Sequence, residues 1–140
     1  MLNTYQATHK AIEEAFRAGW KETTPVKYEN RPFRPIDPQW VEIAVSWGSE
    51  IYNINTDWRN NQIGGVIYVE VHVPLKEGMD NASKLAGRVL DILAHKKFHH
   101  DNTLVTTFEG RVDSTQPNSQ DFRLLCKCQF VGEVSGNYSA

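Results

Sequence analysis

The run VIYVEVHV at residues 66–73 alternates without interruption, with Ile67, Val69, Val71 and Val73 on one face and Tyr68, Glu70 and His72 on the other. A strict period of two, carried by β-branched residues, rules out a helix here and demands a sheet that buries one of its faces. The run WVEIAVSW at 40–47 repeats the pattern. Val41, Ile43, Val45 and Trp47 face one way, and Trp40, Glu42, Ala44 and Ser46 the other. The two runs are joined by residues 48–65, rich in Asn and Gly and without a period, which read as a long, mobile hairpin connection.

Helical spacing appears twice. Leu2, Tyr5, His9, Ile12 and Phe16 recur every three or four residues and predict an amphipathic helix ending near Ala18, with Gly19 as its stop. Ala82, Leu85, Ala86, Val89, Leu90 and Leu93 form a second stripe, capped by Asp80 or Asn81, with the basic residues His95, Lys96 and Lys97 in its last turn, where they suit a helix C-terminus. The segments LVTTFEGRV and FRLLCKCQFVGEV read as two further strands separated by a polar turn, the second with Phe122, Leu124, Cys126, Cys128 and Phe130 on its core face. Gly64 and Gly65 precede a strand rather than a helix and suggest a bulge or turn.

The order of elements predicts an α+β two-layer sandwich: a mainly antiparallel four-stranded sheet, two helices packed on one face, and a proline-rich extended arm. A chain of 140 residues fits one domain, 1–140, with residues 135–140 as a loose tail. The sheet face away from the helices would present Trp40, Glu42, Tyr68, Glu70, His72, Leu125 and Val131. That mixture is too apolar to be merely solvated and suits a protein interface.

Composition excludes several functions. A net charge of -2, with no run among the 15 basic residues, argues against sequence-specific nucleic-acid binding. The start of the chain lacks the features of a secretory signal and no stretch has the length of a membrane span, so a cytoplasmic protein is expected. Cys126 and Cys128 lie on one face of a strand, too far apart for a disulfide, and read as small buried groups. His95, His99 and His100 in HKKFHH invite a metal, yet no carboxylate or cysteine completes a ligand pattern. Asp37 with Glu42, or Glu70 with His72, could be drawn as acid/base pairs, although solvated charges are commoner. There is no nucleophile elbow and no phosphate cradle. No catalytic residue, metal or cofactor is expected.

The segment TPVKYENRPFRP at 24–35, followed by WVEIAVSWG, resembles the opening of the tail terminator (tail completion) proteins of long-tailed bacteriophages. In that family a first helix leads to a TP-x-x-x-x-N-x-x-F-x-P arm and then to a strand entered through an aromatic residue. The corresponding residues here are Thr24, Pro25, Asn30, Phe33 and Pro35, with Trp40 at the strand entry. The resemblance continues through GGVIYVEVHVPLKEGMDNASKLAGRVLDIL and covers roughly residues 1–98, while the last two strands match only in pattern.

The resemblance implies a structural role without enzymatic activity, in the virion tail after assembly in the host cytoplasm. Proteins of this kind form a homo-oligomeric ring, commonly a hexamer, that caps the tail tube protein, ends its polymerisation and meets the head-tail connector. The anchors expected at such interfaces are Phe33, Trp40 and Tyr68, because large aromatics on a polar surface concentrate binding energy, with Ile51 and Trp58 of the long loop as docking residues. The alternatives are an adaptor that binds one protein partner and a small enzyme on a ferredoxin-like sheet.

Overall fold

The structure, a computed structural model, describes residues 4–34, 37–48, 62–75, 79–114 and 121–134. Its first helix, α1, spans Thr4–Trp20 and so runs past the glycine expected to stop it. Two packing facts explain the extension. Gly19 is a point of close approach between helices, where an added Cβ would lie 2.8 Å from Ile92 Cγ2. The Trp20 indole is buried, stacks on Phe16 at 5.4 Å and donates from Nε1 to Thr24 Oγ1 at 3.2 Å. The left-handed residues that end the helix are Lys21 and Glu22, with φ of 52° and 60°.

Six strands follow from the rest of the chain: β1 (Val26–Lys27), β2 (Trp40–Trp47), β3 (Gln62–Pro74), β4 (Lys97–His100), β5 (Thr103–Ser114) and β6 (Asp121–Val134). A second helix, α2 (Met79–Leu93), lies between β3 and β4. The strands form one sheet in the order β1-β2-β3-β6-β5-β4, so the last strand is inserted between β3 and β5. All neighbours are antiparallel except β1 and β2, which are parallel with Val26 opposite Val41. The expected mainly antiparallel four-stranded sheet is therefore incorrect. The α+β content stands, but the sheet is six-stranded, mixed and curled into a half-barrel.

Both additional strands have local causes. The arm joins the edge of β2 because the Pro25 carbonyl accepts from Val41 N at 3.1 Å, and a proline at strand entry forfeits no ladder donor. Farther along, Glu29 Oε1 accepts from Val45 N at 2.8 Å, so a side chain continues the edge where the strand stops. At the other side of the sheet, α2 ends before its basic residues, with His95 at φ 54°. Lys97–His100 then pair with Thr103–Thr106 through a two-residue turn in which Asp101 has φ 52°.

One core joins the sheet and both helices. Val41, Ile43, Ile67, Val69, Val71, Val73, Leu124, Cys126, Cys128 and Phe130 supply the sheet side, and Ile12, Phe16, Trp20, Leu85, Val89 and Leu93 the helix side. Gly65 is a continuing strand residue with no bulge at it. It sits between Trp47 and Phe130, and an added Cβ would be 2.2 Å from the Ser46 carbonyl oxygen. The irregularity in the sheet falls instead in β5 between Thr107 and Gly110. There the buried Thr107 closes α2: its hydroxyl donates to the Leu93 carbonyl and accepts from Lys96 N at 2.7 Å.

Candidate functional site

The three central strands bring side chains into rows on the face away from the helices. Trp40 is opposite His72, and His72 is opposite Arg123; the next row runs Glu42, Glu70, Leu125, and the next Ala44, Tyr68, Lys127. Residues directly across an antiparallel pair are about 5 Å apart, so Glu42 and Glu70 face each other as like charges, an unfavourable arrangement unless a cation intervenes. Lys27 Nζ lies 3.0 Å from Glu42 Oε2, and Arg123 Nη1 lies 3.6 Å from Glu70 Oε1.

His72 is the centre of this surface and is 2% exposed although it points away from the core. The Trp40 ring covers it, with centroids 3.7 Å apart and planes 5° from parallel, and Phe33 packs on Trp40 at 5.0 Å. Its Nδ1 lies 2.9 Å from Asp121 Oδ2, and the other oxygen of that carboxylate accepts from Arg123 Nε at 2.8 Å. A carboxylate can only accept, so Nδ1 carries a proton. Its Nε2 lies 3.0 Å from Glu70 Oε1, yet this contact lacks hydrogen-bond geometry, and Nε2 is buried with no hydrogen-bond partner among the described residues.

The electrostatics follow from these contacts. Burial alone would raise the Asp121 carboxyl, but the hydrogen bonds from Arg123 and His72 and the charges of both outweigh it, and the group is held below its usual range. The hydrogen bond to Asp121 outweighs burial at Arg123 and raises the guanidinium pKa, helped by the charges of Asp121, Glu70 and Glu42. Farther along β6, the Lys127 ammonium donates to Asp113, lies 2.7 Å from its Oδ2 and lowers that carboxyl. Glu42, Glu70 and His72 could hold a metal, since one ligand atom from each falls within 4.8 Å of the others.

The residues expected at interfaces divide into two groups. Phe33, Trp40 and Tyr68 are half-buried, and Phe33 and Trp40 are in mutual contact beside His72. Tyr68 lies on the same face four residues along β3 from His72. Ile51 and Trp58 fall outside the described residues. The HKKFHH histidines do not converge among the described residues: His95 is exposed at the end of α2, His99 is exposed, and His100 Nδ1 lies 2.8 Å from Glu14 Oε2. Glu70 and His72 do meet, but Asp121 and Arg123 were not read from the sequence. The alternation of β6 put them on this face; only the pairing of β6 with β3 put them beside His72.

Cys126 and Cys128 are buried free thiols, and burial pushes them up to about 12 and about 11, respectively. A cleft of about 460 Å³ opens between α1 and the arm, lined by residues including Arg17, Trp20, Glu22 and Tyr28. The Arg17 guanidinium lies 4.6 Å above the Tyr28 ring at this cleft. Among the described residues, no helix is long and apolar enough to cross a membrane.

No protein-family model matches the sequence, and no curated protein matches it. Twelve chains of solved structure match the fold. One of them superposes with a TM-score of 0.60 at 18% identity over 91% of this chain and 95% of its own. At that identity the likeness establishes a shared fold and carries no function.

Proposed function

We propose that this chain is a structural protein of a long-tailed bacteriophage, a tail terminator that closes into a homo-oligomeric ring, caps the tail tube and joins it to the head connector. The observation that carries the reading is the arm, in which the described positions of the family-like motif each have a part in seating it. Thr24 accepts from the Trp20 indole, the Pro25 carbonyl pairs with Val41, Asn30 takes φ 55°, and Phe33 packs on Trp40. Asn is among the few non-glycine residues that tolerate the left-handed region, which gives that motif position a physical reason. The mixed outer face supports the reading as well, because half-buried aromatics among paired charges suit contacts with other subunits.

The subunit works without catalysis in this reading, and hexamers are the expected ring. Phe33, Trp40 and Tyr68 serve ring contacts; Ile51 and Trp58 serve docking on the tube protein or the connector. Native mass spectrometry of the purified chain at micromolar concentration is expected to find a ring-sized species. Tyr68→Asp should remain folded and lose it. A wild-type protein that stays monomeric both alone and with tail tube protein overturns the proposal and leaves the adaptor reading. Replacing Ile51 and Trp58 together by Ala should leave the ring intact and prevent capping of tubes.

A further inference from the structure

Three carboxylates, Glu42, Glu70 and Asp121, and two fixed cations, Lys27 and Arg123, surround His72, whose buried Nε2 has no hydrogen-bond partner among the described residues. We propose that Glu42, Glu70 and His72 form a binding site for a single divalent transition-metal cation, with Zn²⁺ the preferred occupant. The proposal stands on the geometry of one chain and holds whether or not the protein assembles into a ring.

His72 supplies the argument. Its Nδ1 is committed to Asp121 at 2.9 Å, and its buried Nε2, with no hydrogen-bond partner among the described residues, lies 3.0 Å from Glu70 Oε1. A cation seated between these two atoms would be held by both. Two donor atoms each about 2.1 Å from one ion, at angles between square and tetrahedral, are separated by roughly 3.0 to 3.4 Å. The observed separation fits that range, and Glu42 brings a third donor atom, a second oxygen, so that one ligand atom from each of the three residues falls within 4.8 Å of the others. Metal-bound histidines commonly donate their other N–H to a carboxylate, which fixes the tautomer and the ring orientation, and Asp121 occupies that position.

The donor set selects the ion. One imidazole and two carboxylates suit Zn²⁺ or Mn²⁺, and Zn²⁺ binds more tightly at a given site of this kind. Mg²⁺ prefers oxygen ligands and retains its waters, so it is expected to bind far more weakly. Glu70 is half-buried, so its carboxylate can swing aside to admit an ion to the covered Nε2.

Isothermal titration of the full chain with ZnCl₂ tests the site, with MgCl₂ as the comparison. One Zn²⁺ per chain is expected, with affinity at least about tenfold lower in Glu42→Gln and in Glu70→Gln. Asp121→Asn keeps all three ligands and should lose about 10- to 100-fold in affinity as a positioning residue. Circular dichroism must find each variant folded. Should a variant unfold, histidine side-chain spectra of the wild type during Co²⁺ addition decide, with His72 expected to broaden first. Broadening centred on His95 or His99, loss of uptake in a His95→Gln/His99→Gln variant, equal uptake by wild type and both Glu variants, or no uptake overturns the proposal.

Discussion

The two faces of β3 share every backbone hydrogen bond of the strand and are held by different forces. Val69, Val71 and Val73 are fully buried against the helices, where dispersion and exclusion of water act without a preferred direction. His72, one residue away from two of them, is 2% exposed, yet its neighbours are an indole face, two carboxylates and a guanidinium within reach of them. Burial on the first face rewards volume. Burial on the second rewards the placement of donors, acceptors and charges, because an unpaired polar atom there costs more than a small void.

The largest expected effect lies on the apolar side. Phe16→Ala should lower stability by about 3 to 5 kcal/mol in urea unfolding, because the ring is fully buried and stacked on Trp20. A loss below 1 kcal/mol would mean that the helix layer is loosely packed. Next comes the thiol pair: Cys126→Ala with Cys128→Ala should cost about 1 to 3 kcal/mol in total and leave the structure intact. In the folded protein both thiols should resist alkylation near pH 8, since burial holds them in the neutral, unreactive form. Rapid labelling under native conditions would refute that.

The polar side should respond to pH where the apolar side does not. Asp121 has its folded pKa lowered below the unfolded value, so its contribution is fully present above about pH 4, the unfolded carboxyl range, and is lost as the pH falls toward the folded value. Asp121→Asn should cost about 1 to 2 kcal/mol at neutral pH and flatten the acid limb of the stability curve, whereas Phe16→Ala should shift that curve without changing its shape. An unchanged acid limb in Asp121→Asn would show that other carboxyls set it. The smallest effect is at the sheet edge. Glu29→Ala removes the oxygen that accepts from Val45 N and should cost about 0.5 to 1 kcal/mol, read as faster hydrogen exchange at Val45.

Much of both faces was legible before any coordinates. The period of two in residues 40–47 and 66–73 put Trp40, Glu42, Tyr68, Glu70 and His72 on one face, and the structure keeps them there. The period of helical spacing in α2 likewise identified Ala82, Leu85, Ala86, Val89 and Leu93, all buried. The end of α1 was misread because a glycine near a helix end serves either as a stop or as a contact, and the choice depends on Ile92, a residue 73 positions away. The short strand β4 was missed, and β1 was read only as part of an arm suited to a sheet edge, because four and two residues of strand carry too little period to separate them from a helix tail and an arm.

What the sequence determined by itself is the set of local alternations: which residues share a face of a strand or a stripe of a helix, since those follow from backbone geometry within a few residues. What only the tertiary structure decided is which faces meet. The insertion of β6 between β3 and β5 brings Asp121 and Arg123 against His72, and the return of the arm brings Lys27 to Glu42 and Phe33 to Trp40. Strand order depends on pairing free energies summed over the whole sheet and on how two helices can cover it together. No window of ten residues holds that information, so the meeting of Asp121, Arg123 and Lys27 with the face of Glu42, Glu70 and His72 exists in the fold and is not visible in the chain.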